Sequence, residues 1–111
     1  MGTFIWVTLQ FEGYHSWPDA PMRSAFLRNE HRHMFHVKLY QKVTHLDRDV
    51  EFIELKNKLQ DFITRTWPGG QLGSISCEMI ATHILSNFGG ERCDVSEDGE
   101  NGALVIRSSK D

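Results

Sequence analysis

Within Asn29–Tyr40 the residues Phe35, Val37 and Leu39 alternate with His36, Lys38 and Tyr40. In an extended chain, residues two apart point to the same side, so this period calls for a strand with one face against a core. His31 and His33 continue the same parity into the polar start of the stretch, which sets two imidazoles at the rim of the apolar face. Rigid backbone there would fix two metal ligands, and the adjoining loop leaves room for a third ligand and a substrate. The other reading of the same spacing is a pair of surface histidines beside Arg32 that form hydrogen bonds and no more.

The N-terminal run repeats the pattern. Ile5, Val7, Leu9 and Phe11 fall on one side of Thr3–Glu12, with Thr8, Gln10 and Glu12 on the other, as in a half-buried strand. Phe4 and Trp6 make the second side partly apolar, which points that face toward another subunit rather than water. Gly13 is expected to break the run, and Tyr14–Pro21 follows as a loop of aromatics and turn formers. His15 keeps the parity of the buried face. Two readings of the loop stand side by side: a pocket wall, or packing of Tyr14 and Trp17 over the sheet edge.

The second strand is expected from about Arg32 to Val43, followed by a polar turn that offers Asp47 or Asp49 as a helix cap. Val50–Thr66 reads as a helix, because Phe52, Leu55, Leu59 and Phe62, joined by Ile53 and Ile63, recur at three- and four-residue spacing. Trp67–Ser74, with Pro68-Gly69-Gly70, is the only linker-like stretch. Ser76 opens a second helix with Glu78 in its first turn and Ile80, Ala81, Ile84, Leu85 and Phe88 as its stripe, closed by Gly89-Gly90. Two short strands, about Arg92–Ser96 and Ala103–Ser108, flank an Asp-Gly and Asn-Gly reversal. The order strand, strand, helix, helix, strand, strand predicts an α+β fold: a four-stranded antiparallel sheet with both helices on one face.

A chain of 111 residues suits one domain, residues 1–111, with a core that needs no staples. A net charge of −3 without a basic block supplies no electrostatic argument for a nucleic acid polymer or an anionic membrane. Two distant cysteines point to reduced thiols, and no apolar run approaches membrane-spanning length; the expected setting is cytoplasmic.

The element order and several motifs together resemble the 6-pyruvoyl tetrahydropterin synthases and the related 6-carboxytetrahydropterin synthases. Phe11-Glu12-Gly13-Tyr14-His15 resembles the family's first-strand phenylalanine and histidine, and His31-Arg32-His33 its His-x-His, with arginine where glycine is usual. Val50–Lys56 is similar to the segment that opens the family's first helix, Ser76-Cys77-Glu78-Met79-Ile80-Ala81 to the one that opens its second, and Val95-Ser96-Glu97 to its third-strand glutamate. The resemblance implies the tunnelling fold, or T-fold, whose subunits assemble into a barrel with sites between chains. It implies zinc on His15, His31 and His33, a pterin, deazaguanine or other purine-like ring on Glu97, and Ser76 and Cys77 beside that ring.

Three neutral imidazoles leave one position open on a zinc ion, which can polarise a substrate oxygen and ease loss of a neighbouring proton. A carboxylate can accept two adjacent N–H donors from the edge of such a ring; read without the resemblance, Glu97 is a turn carboxylate in an acidic hairpin. Leu27 stands where the family usually carries its catalytic cysteine, and Trp67–Ser76 lacks the family's aspartate–histidine pair. Glu30, beside His31, is the candidate substitute base. Cys77 at a helix start is either a thiol activated by the helix dipole or a buried structural one; Cys93 has core parity, and His36, His45 and His83 read as structural. Two functions remain open: a zinc-dependent lyase acting on a dihydroneopterin-triphosphate-type substrate, and a non-catalytic binder that sequesters a purine or nucleotide. A third reading is an oligomeric scaffold whose histidines bind nothing.

Overall fold

The computed structural model describes residues 1–108. Its first two strands, β1 (Thr3–His15) and β2 (His31–Val43), are each 13 residues long and pair antiparallel from Thr3↔Val43 to His15↔His31. β2 pairs antiparallel with β4 (Arg92–Glu97), and β4 with β5 (Asn101–Ile106). The fifth strand, β3 (Gln71–Gly73), runs parallel to the end of β1, giving the order β3-β1-β2-β4-β5. The chain is therefore α+β as expected, but the sheet is mixed and five-stranded, not four-stranded and antiparallel. The added strand comes from the stretch that reads as a linker. There Pro68–Gly70 forms a short helical turn, and Gly70, at φ 73°, passes so close to β1 that a Cβ would stand 2.1 Å from the Glu12 carbonyl oxygen. Only glycine fits that approach with that φ.

Gly13 likewise continues β1 instead of ending it. A Cβ on Gly13 would lie 2.7 Å from Phe35 Cδ2 and 2.9 Å from Leu72 Cδ1, so the missing side chain is the space those two occupy.

The helices α1 (Phe52–Thr66) and α2 (Cys77–Asn87) both cover the inner face of the sheet, where Val7, Leu9, Phe35, Val37, Leu39, Cys93 and Val95 meet Leu55, Leu59, Ile63, Ile80 and Ile84 in one apolar cluster. Period-2 and period-3.6 stripes of this kind bury only when face meets face. The α1 stripe is narrower than its sequence suggests: Leu55, Leu59 and Ile63 are buried, whereas Phe52 and Ile53 in the first turn are exposed. Its cap is also different. The Glu51 carboxylate accepts from Ile53 N and Glu54 N, while Asp49 accepts from the Thr44 amide and hydroxyl, so neither Asp47 nor Asp49 caps the helix. Ser76 does cap α2, accepting from Met79 N at 3.2 Å.

The outer sheet face carries exposed Phe4, Trp6, Leu104 and Ile106, with Lys38 Nζ 4.4 Å from the centre of the Trp6 ring. No helix among the described residues is long and apolar enough to cross a membrane.

Candidate metal centre

The inner face changes character at one end of the sheet. Along β1 the buried parity runs Val7, Leu9, Phe11, Gly13, His15; along β2 it runs back through Leu39, Val37, Phe35, His33, His31; along β4 it runs Cys93, Val95, Glu97. Because β1 ends, β2 begins and β4 ends at the same place, three apolar stripes turn ionisable together. The register sets His15 opposite His31, Gly13 opposite His33 and Phe35 opposite Glu97. The edge of the Phe35 ring system supports the cluster from below, its centroid 5.2 Å from that of His15 and 5.9 Å from that of His33.

Each imidazole is oriented through Nδ1. His15 Nδ1 donates to the Ile75 carbonyl at 2.9 Å, His31 Nδ1 to the Asn29 carbonyl at 3.0 Å, and His33 Nδ1 to Asp98 Oδ2 at 2.7 Å. Such outer partners fix the tautomer and leave Nε2 with its lone pair, as metal-ligating histidines require. Asp98 is itself held by the Met34 amide, which donates to Oδ1 at 2.9 Å. That amide, and after it His33, keeps the Asp98 carboxyl below the usual carboxylate range. The sequence reading missed Asp98, whose signal was an Asp-Gly pair that reads as a turn; which histidine it reaches depends on the pairing of β2 with β4.

One ligand nitrogen from each of the three histidines lies within 4.8 Å of the others, so these residues can hold a metal ion. Nitrogens bound at about 2.0–2.1 Å to a tetrahedral ion stand roughly 3.4 Å apart, so a bound ion would draw the three rings closer together. The residue that most calls for a cation is His15. It is buried, and its Nε2 has no hydrogen-bond partner, although Glu97 Oε2 stands 3.0 Å away. A buried polar atom without a partner is costly, and a cation on its lone pair removes the cost.

Beside the cluster lies a cavity of about 460 Å³. His15, His31 and Glu97 form its ionisable wall, Ser76 and Cys77 at the start of α2 another, and Trp17, Leu27 and Met79 its apolar rim. The loop between β1 and β2 is pinned over it: Ser16 N donates to the Gly73 carbonyl, Trp17 N to the Leu27 carbonyl and Arg28 Nε to the Ala20 carbonyl. Trp17 is thus part of the pocket wall, while Tyr14 lies on the other side of the sheet, donating its hydroxyl to Glu12.

Of the sequence-derived candidates, His15, His31, His33, Glu97, Ser76 and Cys77 come together. Glu30 does not: it is exposed and outside the cavity lining. Cys77 is buried, and burial first, then the nearby Glu97 and Glu78 charges, pushes its thiol up to about 12. It is therefore a neutral thiol near pH 7, not an activated nucleophile. Cys93 is fully buried in the core with its thiol also pushed up to about 12. No protein-family model matches this chain, and no curated protein matches it.

Proposed function

We propose that this chain is a zinc-binding protein of the tetrahydropterin-synthase type, built on a T-fold, that holds a flat pterin, deazaguanine or other purine-like ring in the cavity beside its three histidines. The observation that carries this reading is the convergence of His15, His31 and His33 at the end of the sheet, beside a cavity whose wall His15, His31 and Glu97 form. Zinc suits a set of imidazole nitrogens and, when bound, supplies a Lewis acid that polarises an oxygen of the ligand. The chain's own residues do the rest. Glu97 accepts adjacent N–H donors of the ring edge, in a charge-assisted pair that also sets ring orientation. Trp17, Leu27 and Met79 cover the apolar faces of the ring and exclude water.

Binding without turnover is the function favoured here. Leu27 contributes only hydrocarbon to the wall, Cys77 carries a neutral thiol, and Glu30 stands outside the cavity. The second reading, a lyase acting on a dihydroneopterin-triphosphate-type substrate, draws support from the three-imidazole set, which leaves a position for a substrate oxygen. Assembly into a ring of subunits in the cytoplasm belongs to the same proposal. Supporting it, β3 covers only the Tyr14–His15 end of β1, so the remaining edge of β1 and the outer edge of β5 are open among the described residues, close to exposed Phe4, Trp6, Leu104 and Ile106.

The test is metal analysis combined with calorimetric titration of pterin and guanine. The purified protein should carry about one zinc per chain, lost in the His31→Ala, His33→Ala double variant together with ring binding. A protein that binds neither metal nor ring refutes the proposal. Incubation with dihydroneopterin triphosphate separates the two readings: release of triphosphate would establish the lyase.

A further inference from the structure

The Glu97 carboxylate has an unusual relation to two of the histidines. Oε2 stands 3.0 Å from His15 Nε2, and Oε1 stands 3.6 Å from His33 Nε2. Both rings commit Nδ1 as donor elsewhere, His15 to the Ile75 carbonyl and His33 to Asp98. In the neutral tautomer so defined, each Nε2 presents a lone pair, and it presents that lone pair to a carboxylate oxygen that also has only lone pairs. Two such atoms repel at this separation unless a cation lies between them. The 3.0 Å approach at His15 lacks hydrogen-bond geometry, which is why that buried nitrogen is left without a partner. It is, however, within a few tenths of an ångström of the roughly 3.4 Å between two ligands that share one tetrahedral metal ion.

We propose that Glu97 is a fourth, displaceable ligand of the metal ion held by His15, His31 and His33, so that the resting centre is a closed three-nitrogen, one-oxygen set and not an open three-histidine site. The inference rests on the metal reading given above and changes what the centre does. A centre with four protein ligands is coordinatively satisfied and offers no position for water or substrate. Glu97 also lines the cavity, only about a quarter exposed. A ring that brings two N–H donors to this carboxylate competes with the metal for the same oxygens. Ring capture and opening of the metal are thereby coupled through one side chain: the position at the metal becomes available only when the cavity is filled. The ligand class follows from that competition, a planar heterocycle with adjacent N–H donors and an oxygen acceptor for the metal. The ion class is a borderline divalent cation such as zinc or cobalt, which accepts imidazole and carboxylate together.

The test uses cobalt(II) as the probe. The full-length protein is stripped with a chelator and reloaded, and visible absorption and cobalt affinity are measured for wild type, Glu97→Gln and Glu97→Ala. The wild-type chain should give the intense bands of a four-coordinate site. Both variants should shift those bands and weaken binding by about tenfold or more, the loss that even an outer partner of a metal ligand causes. Glu97→Gln keeps the size and shape of the side chain, so a shift in that variant is not a failure to fold. Cobalt bound with the same spectrum and affinity in all three proteins would overturn the proposal and leave the three-histidine site standing. No cobalt binding by the wild-type chain would overturn both.

Discussion

Gly13→Ala is the sharpest probe of how the core carries the candidate site. The added methyl would meet Phe35 Cδ2 at 2.7 Å, Phe35 Cε2 at 2.8 Å and Leu72 Cδ1 at 2.9 Å, separations that real side chains do not tolerate. Phe35 is fully buried and Leu72 nearly so, so neither can swing into solvent to make room. Overpacking of this kind costs about 1–3 kcal/mol. At about 2.1 cal/mol/K per residue, a chain of this length has an unfolding entropy of roughly 0.23 kcal/mol/K, so each kcal/mol lowers Tm by about 4 °C. The expected loss is therefore about 4–13 °C in a thermal melt. Because Phe35 also braces the rings of His15 and His33 edge-on, displacement of its ring should weaken metal binding as well as stability. A Gly13→Ala, Phe35→Leu double variant supplies the internal control: the smaller side chain relieves the clash, so the double variant should lose less than the sum of the two singles. An unchanged Tm in Gly13→Ala, or strict additivity in the double, would refute the close-packed account of this position.

Two further outcomes follow from groups whose ionisation is displaced. Hydrogen bonds from the Thr44 amide first, then the Thr44 hydroxyl, hold the Asp49 carboxyl below its ordinary 3.8. A depressed carboxylate contributes stability that is fully present above that ordinary value and is lost as pH falls through the folded one. Asp49→Asn should thus be less stable than wild type in urea at neutral pH, with the gap narrowing as pH falls below the ordinary carboxylate value and through the lower folded one; a gap that does not change with pH would show that the charge plays no part. Cys77, pushed up to about 12, should hold roughly a thousandfold less thiolate at neutral pH than an ordinary cysteine. Native protein should resist iodoacetamide and react in denaturant, and rapid stoichiometric labelling of the native thiols would contradict the assignment.

The alternating stripes of β1 and β2 and the i, i+3, i+4 stripe of α2 were legible because each is a long run whose period only one secondary structure satisfies. That His15 shares a face with His31 and His33 was legible by the same parity. Three features were not. Gln71–Gly73 is too short to show a period, and it is a strand only because Gly70 lets it lie against β1. The first turn of α1 carries apolar Phe52 and Ile53 that extend the stripe in sequence, yet both are exposed along an open groove beside Phe4–Thr8 of β1, a packing outcome that the helical period does not report. Asp98 and the close approach of Glu97 to His15 depend on β4 lying beside β2 in a particular register, a long-range pairing that no local spacing encodes.

Register is what links the core to the candidate centre. A slip of one residue between paired strands moves every side chain to the opposite face, so a slip of β1 on β2 would send His15 to the outer face and bring Tyr14 in. The pairing that prevents this runs through Val7↔Leu39 and Leu9↔Val37, whose side chains are buried against both helices. The same holds for β4, where Val95↔Val37 and Cys93↔Leu39 set Glu97 opposite Phe35. The residues that would hold the metal are too polar to specify their own alignment. They inherit it from apolar pairs farther along the strands, and the cost of misplacing one ligand is the cost of exposing that core.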